Sequence, residues 1–441
     1  MIISNLLDIE AILHNSDTTD LPISGFACDS RNVKHGNLFF ALSGAKVDGT
    51  DFLSAAAHNG AQSAVVPSTY DGPDFGLQLV RVPNVLLALQ QLAAAVIKKL
   101  SHAKIIGITG SLGKTTVKGF VETLLSEKFK VMATPGSSNS QIGLPLAILN
   151  GVQGDEDFLV LEMGMSEKGG IRRLVQFAPP DIACITTIAK AHYVYFNGEH
   201  EIAEAKSEIL ENCHLGMIPL DTPYTYLFSE TGLCPKISFS MKDSFADYYL
   251  DPEGTVNSIK GNVSLLDLQV PGTHNAYNAL IAVSLALEAG MDPAEIQAVI
   301  PKLRLPPMRL EKTVLNEVVF INDSYNAGPQ SMKAAIACLP SPELGAKRIG
   351  VIGEMLELGD YSQEAHLDVA QYALGKVDLL LCMGKGTLPM VEYWKEQGKE
   401  AMWFPSREEL VASLRTSMVQ KDVVLLKGSR LNQLWKVLEE V

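Results

Sequence analysis

The run KIIGIT, Lys104 to Thr109, opens into Gly110-Ser-Leu-Gly-Lys-Thr-Thr116, and this junction restricts the chain more than any other stretch. A strand that is apolar without alternation is buried on both faces, so it belongs inside a parallel sheet covered by helices. Glycines let the backbone curl until several N–H groups point at one anion. The helix TTVKGFVETLLSEK follows at once and adds the partial positive charge of its N-terminus. Lys114 has the reach for β and γ phosphates, and the Thr115 hydroxyl suits Mg²⁺. Thr109, Gly110, Ser111, Gly113, Lys114, Thr115 and Thr116 are therefore the candidate ATP-binding loop, with Lys114 its catalytic cation. The strict phosphate-loop pattern would carry glycine at 108, where Ile108 stands. The bland alternative is a glycine turn with no ligand.

Two further buried strands, FLVLEMG and DIACITTIA, follow in the same region. Glu162 ends the first of them. A carboxylate at the carboxyl end of a buried strand is costly unless paired or metal-bound, and open parallel sheets place ligands at that end. Glu162 is therefore a metal candidate, or else a glutamate bonded to a loop. His192, just past the second strand, is a phosphate or metal candidate, or a structural histidine. Lys206 lies on the helix EIAEAKSEILEN with Ile202, Ala203, Ile209 and Leu210 as its same-face neighbours. Two readings are open: the lysine snorkels to water, or burial lowers its pKa and the neutral amine takes up carbon dioxide as a carbamate, an anionic metal ligand.

The alternation of strands and helices divides the chain into three expected domains. Residues 1–83 form a small α/β module with strands near Phe26–Cys28, Leu38–Leu42, Ala64–Val66 and Leu77–Val82 and a helix near Phe52–His58. Residues 84–311 form a central parallel-sheet domain built around the phosphate loop. Residues 312–441 hold five strand-then-helix steps, from VVFIND to VVLLKGS and the closing helix LNQLWKVLEEV, which make a Rossmann-like unit. No G-x-G-x-x-G follows its first strand, so a dinucleotide is not indicated.

Composition removes other classes. Lys+Arg total 36 against 50 Asp+Glu, a net charge of -14, which argues against nucleic acid as a partner. The six cysteines show no C-x-x-C spacing, and most read as small core residues rather than a disulfide framework. No apolar run approaches a membrane span, and the start, MIISNLLDIEAIL, lacks the basic region of a signal peptide. A cytoplasmic protein is expected.

The ordered series TGSLGKTT, LEMG, AH, AKSEI, HNAYNAL, MRLE, NDSYNAGPQSM, GEMLELGDYS and KGSR resembles the Mur ligases from Asp29 to Arg430. The resemblance implies an ATP-dependent, carbon–nitrogen bond-forming ligase of peptidoglycan precursor synthesis. Asp323-Ser324-Tyr325-Asn326-Ala327 with Leu356-Glu357-Leu358-Gly359 resembles the member that joins D-Ala-D-Ala to a UDP-muramoyl-tripeptide through an acyl-phosphate. It further implies that Ser30 and Arg31 contact the UDP substrate. Asn275 and Asn278 would lie on the adenine side, Arg309 at the nucleotide phosphates and Asp323 at the ribose. Asn139, Ser324, Tyr325 and Asn326 would bind substrate. Thr115, Glu162, His192 and a carbamylated Lys206 would serve two Mg²⁺ ions, with His192 and Lys206 also catalytic. A monomer is implied.

Departures from the family pattern are Ser137 and Ser140 where asparagines are usual, Thr50 where histidine is usual, Tyr195-Phe196-Asn197 after the motif histidine, and Leu431-Asn432-Gln433 after KGSR. They bear on muramoyl-peptide recognition more than on ATP chemistry. The rivals are a sister ligase that adds a single amino acid, a folylpolyglutamate synthase, and an ATP-binding homologue that has lost ligation. A D-N-P-R segment, expected of the diaminopimelate-adding member, is absent.

Overall fold

The computed structural model describes residues 2–14, 20–44, 47–189, 194, 196 and 198–441. The chain packs as two compact units. The first comprises Met1–Thr109, Val121–Ile185 and Ala205–Phe239, and the second Gly110–Phe120, Thr186–Glu204 and Ser240–Val441. The expected fold class holds: the chain is α/β, with a small N-terminal sheet, a central parallel sheet and a C-terminal Rossmann-like sheet.

In the first unit, β1 (Gly25–Ala27), β2 (Asn37–Phe40), β3 (Ser63–Pro67) and β4 (Gln78–Val82) form an all-parallel sheet in chain order. Asn150 joins this sheet to the segment behind it, accepting from Phe26 N at 3.0 Å and donating to Phe26 O at 3.0 Å. The helix Val85–Lys99 starts where the Asn84 side chain accepts from Leu87 N, and it ends on Lys98 and Lys99, which favour the negative pole. Its buried face is Val85, Ala88, Leu89, Leu92, Ala93 and Val96.

The central sheet of the same unit contains β5 (Lys104–Thr109), β6 (Val131–Ala133), β7 (Phe158–Glu162), β8 (Ile182–Ile185), β9 (Leu215–Pro219) and β10 (Lys236–Ser240), in the order β10-β9-β8-β5-β7-β6 and all parallel. Chain order reverses about β5. The strands that follow lie first on one side of it and then on the other, and such a switch point opens a crevice at the carboxyl ends of the strands. Ile108 pairs with Glu162, which puts the end of β7 beside the end of β5.

In the second unit, β11 (Tyr248–Leu250), β12 (Thr255–Ser258) and β13 (Val263–Ser264) are antiparallel, and the helix Thr273–Glu288 packs against β11. The C-terminal sheet follows with β14 (Glu311–Leu315), β15 (Val318–Asn322), β16 (Arg348–Gly353), β17 (Leu379–Met383), β18 (Glu400–Phe404) and β19 (Val423–Lys427). Its order is β14-β15-β19-β16-β17-β18, parallel except at β14, with a buried apolar layer on each face.

Two details differ from the sequence reading. β14 was not expected. It pairs with β15 through a two-residue loop, Asn316 and Glu317, both at positive φ (49° and 63°), the geometry that twists a hairpin correctly. The closing helix LNQLWKVLEEV is reduced to Val437–Glu440. Asn432 donates its amide to Glu354 O and Ser429 O, both at 2.9 Å, and Gln433 turns left-handed (φ 52°), so side-chain bonds to the backbone displace the helix. Among the described residues, no helix is long and apolar enough to cross a membrane.

Candidate active site

The phosphate loop belongs to the second unit and is laced to the segment after β8. Ser111 N donates to Thr187 O at 2.6 Å, Ser111 Oγ to Ala189 O at 3.0 Å, and Thr186 Oγ1 to Leu112 O at 2.6 Å. Gly110 and Gly113 are both required. Each has positive φ (148° and 85°), and a methyl group would overlap the Thr186 hydroxyl at one and the Asn278 amide at the other. Lys114 arches over its own loop, donating to Gly110 O at 2.7 Å and Ser111 O at 3.4 Å. Thr115 and Thr116 are buried at the head of the helix Lys114–Leu125, and Thr109 ends β5. Asn275 and Asn278 share one face of the helix Thr273–Glu288. Asn278 donates to Asn275 Oδ1 at 3.2 Å, and Asn275 to Pro271 O at 2.7 Å.

Arg309 ties this loop to the C-terminal sheet. It stands between Met308 (φ 58°) and Leu310 (φ 46°), two non-glycine residues in the left-handed region, a strained conformation that cooperating contacts must hold. Its Nη2 donates to Thr115 Oγ1 at 3.1 Å, and its guanidinium carbon lies 4.6 Å from the Tyr325 ring centroid. Arg430 stands over the same ring at 5.3 Å. Leu310 N donates to Asp323 Oδ1 at 3.1 Å and Tyr325 N to Met308 O at 3.2 Å. Lys427, which ends β19 and is 2% exposed, pairs with the Asp323 carboxylate and donates to Asn326 O at 3.1 Å. Three distant segments, 308–311, 323–326 and 427–430, thus form one knot. Burial pushes the pKa of nearby His274 down, against the pull of Asp323.

The knot treats the three expected dipeptide residues differently. Ser324 is buried and commits its hydroxyl to Asn322 Oδ1 at 2.6 Å, whereas Tyr325 is half-buried and Asn326 exposed. Lys427 and Arg430 had been assigned no role. Lys427 carries the same signal that singled out Glu162, a charge at the carboxyl end of an apolar strand. The Arg430–Tyr325 contact has no local signature in the sequence.

The first unit holds the acidic group. Glu162 is 1% exposed; its N–H donates to Thr134 Oγ1 at 3.1 Å, and its carboxylate accepts from Asn139 Nδ2 at 2.7 Å. Gly164 N closes the same loop on Asn139 O at 2.8 Å. Asn139 is thus brought to the expected metal carboxylate. Lys206 is 2% exposed among Ile202, Ala203, Ile209 and Leu210, all fully buried, which excludes a head group that snorkels to water. Its helix ends at Ser207 and continues as a tighter turn, Glu208–Leu210, not as the longer helix expected. Glu208, also buried and unremarked from sequence, accepts from Gly169 N and Arg172 N at 2.7 and 2.9 Å, which caps the helix Gly170–Phe177.

Ser30 and Arg31 lie beyond β1 in the N-terminal module. Ser30 is buried, while the Arg31 side chain is exposed and grips Asp29 through Nε (2.9 Å) and Nη2 (2.6 Å), holding that carboxyl below its usual pKa. His192, Tyr195 and Asn197 lie outside the described residues. Among the described residues, no three His, Cys, Asp or Glu side chains converge as a ready-made metal cluster.

Three family descriptions match the chain: "Mur ligase family, catalytic domain" over residues 22–96, "Mur ligase middle domain" over 108–286 and "Mur ligase, glutamate ligase domain" over 308–430. UDP-N-acetylmuramoyl-tripeptide--D-alanyl-D-alanine ligase of Bacillus subtilis is 32% identical, covering 98% of this chain and 96% of the relative. The Escherichia coli enzyme of the same name is 30% identical over 93% of this chain and 92% of its own length. Among solved structures, MurF from Acinetobacter baumannii superposes with a TM-score of 0.86 at 26% identity, covering 98% of this chain and 97% of that one. MurF ligase from Thermotoga maritima in complex with ADP gives 0.77 at 26% identity, with 94% and 96% covered. The phosphate loop, the strained arginine junction and a likeness that runs nearly end to end have one reading: the chain belongs to the Mur ligase family.

Proposed function

We propose that this protein joins D-alanyl-D-alanine to UDP-N-acetylmuramoyl-tripeptide at the expense of ATP, giving the pentapeptide precursor of peptidoglycan, ADP and phosphate. The observation that carries the reading is Arg309, which touches Thr115 of the phosphate loop and Tyr325 of the N-D-S-Y-N segment at once. The identity of the substrates rests on the full-length likeness to ligases that bear this name. The protein acts in the cytoplasm as a monomer.

A carboxylate is a poor electrophile. Its oxygen attacks the γ-phosphorus of ATP, the bond to ADP breaks, and an acyl-phosphate results. The dipeptide amine then attacks the acyl carbon, loses a proton, and phosphate leaves. Charge accumulates on phosphoryl oxygens in the first step, so the protein contributes mainly position and potential. The loop N–H groups, Lys114 and Arg309 supply that potential. Asn275 and Asn278 take the adenine side and Asp323 the ribose. Ser30 and Arg31 take the uridine end, and Asn139, Ser324, Tyr325 and Asn326 line the acceptor side.

Each donor, taken by itself, has the chemistry a hard divalent cation needs. Thr115 offers a hydroxyl and Glu162 a carboxylate buried at a strand end, and oxygen donors of this kind suit Mg²⁺. Two such ions, held by Thr115, Glu162, His192 and a carbamylated Lys206, would neutralise the phosphates' charge.

Mass spectrometry of the nucleotide product tests the function. With ATP, Mg²⁺, UDP-muramoyl-tripeptide and D-Ala-D-Ala, the product gains one dipeptide less one water, and nothing without ATP. Growth by a single amino acid would move the assignment to a sister ligase. ATP binding with no product from either acceptor would leave a non-catalytic homologue. The carbamate has its own test. Lys206→Ala should lower turnover by about 100-fold, as loss of a metal-supporting group does. Acetate or formate, which restore a small carboxylate to the cavity, should recover part of it. Equal activity of Lys206→Ala and wild type, or absence of rescue, would remove the carbamate.

A further inference from the structure

Cys213 and Cys234 are 21 residues apart in sequence, yet their sulfurs lie 2.9 Å from each other. Both thiols also face one acceptor, Leu210 O, each at 3.7 Å. The backbone builds this meeting. Gly232 (φ 72°) passes so close to the Leu210 carbonyl that a side chain there would overlap it. Gly216 N donates to Pro235 O at 2.9 Å, pinning the start of β10 against β9.

The pair precedes both strands, at the amino-terminal edge of the parallel sheet, whereas Glu162 ends β7 at the carboxyl edge. It therefore lies apart from the acidic group of the same unit. Access is open: both cysteines are half-buried, and Leu233 and Pro235 beside them are exposed. The other thiols differ. Cys184 and Cys382 are fully buried, and Cys28 and Cys338 make no sulfur–sulfur contact among the described residues.

We infer that Cys213 and Cys234 form a dithiol site that reacts with small disulfides and closes reversibly to an intramolecular disulfide. A bonded pair sits at about 2.05 Å, so closure needs roughly 1 Å of travel. Burial and the neighbouring sulfur push the Cys213 thiol up, and Cys234 attacks first. The Lys236 ammonium, bonded to Cys234 O at 2.7 Å, adds positive potential there. Cys234 gives its proton to solvent, and its thiolate attacks one sulfur of R–S–S–R, displacing RS⁻. That RS⁻ takes the Cys213 proton. The Cys213 thiolate then attacks Cys234 Sγ and displaces the second RS⁻, which is protonated by solvent. The protein loses two electrons and two protons, and the small disulfide becomes two thiols. The inference does not depend on the ligase reading.

The test is to treat the full chain with glutathione disulfide, quench in acid, alkylate and digest without reductant. Mass spectrometry should find the peptide containing Cys213 joined to that containing Cys234, two hydrogens lighter than the separate pair, and dithiothreitol should abolish it. Cys213→Ser should accumulate the glutathione adduct on Cys234, whereas Cys234→Ser should leave Cys213 unmodified. Recovery of both wild-type cysteines as separate alkylated peptides would overturn the inference, as would a persistent adduct without the cross-link.

Discussion

Lys114→Ala is expected to slow ligation by about 10³-fold, equivalent to about 4 kcal/mol of barrier, while leaving folding stability within about 1 kcal/mol. The asymmetry follows from where the side chain sits. Lys114 is half-buried and bonded to two carbonyls of its own loop, Gly110 O and Ser111 O. Removing it takes bonds from a half-buried side chain that lies outside the apolar core, so little of the fold depends on it. Its ammonium is instead the side-chain charge of a loop whose other donors are backbone N–H groups. Under the proposed function those donors bind ATP in the ground state. The lysine follows the charge that grows on the transferring phosphoryl group, so kcat should fall far more than the KM for ATP rises. Lys114→Arg should not rescue, because a planar fork does not replace a compact point charge at a crowded turn. The measurement is steady-state ADP release with both acceptors present, alongside thermal unfolding. A Lys114→Ala protein within tenfold of wild type would remove Lys114 from the chemistry.

Much of this arrangement was legible because burial leaves a strong mark on sequence. The interiors of β5, β7 and β8 are continuously apolar, and that pattern alone required a parallel sheet, which required the loop to emerge at its carboxyl edge. The same logic made Glu162 conspicuous. Lys206 was ambiguous for a physical reason: helical periodicity shows which face a side chain leaves from, and not whether a long stem reaches water. Its 2% exposure decides what periodicity left open.

The knot around Asp323 was legible only in part. One of its members comes from a segment 104 residues beyond Asp323, and nothing local to KGSR says that Lys427 meets Asp323 or that Arg430 stands over Tyr325. Likeness to a family supplied the segments, and the tertiary structure supplied the contacts among them. β14 escaped because its side chains are largely exposed and its turn residues, Asn316 and Glu317, do not form the asparagine–glycine pair that usually announces such a hairpin.

Lys427→Met is expected to destabilise the protein by about 3–5 kcal/mol, the cost of leaving one half of a buried ion pair. Lys427 is 2% exposed and spends its three protons on Asp323 Oδ2, Asn326 O at 3.1 Å and Asp323 O at 3.3 Å. Methionine keeps much of the stem's volume, so packing changes little and the loss reports the charge. The Asp323 side chain, 15% exposed, would keep Leu310 N as a partner and lose its cation. Neutralising that orphaned carboxylate should therefore help: Asp323→Asn combined with Lys427→Met should regain about 1–3 kcal/mol relative to Lys427→Met alone, in urea titrations whose slopes stay unchanged. Activity should not return with stability. Leu310 N holds Asp323 beside the strained turn that aims Arg309 at Thr115, and an uncharged amide bound to no lysine fixes that turn less firmly. A double variant that recovered both stability and turnover would make the pair a structural clamp alone. One that recovered stability while turnover stayed low would make the Lys427–Asp323 pair part of the machinery, through the ribose contact proposed for Asp323 and the turn that holds Arg309.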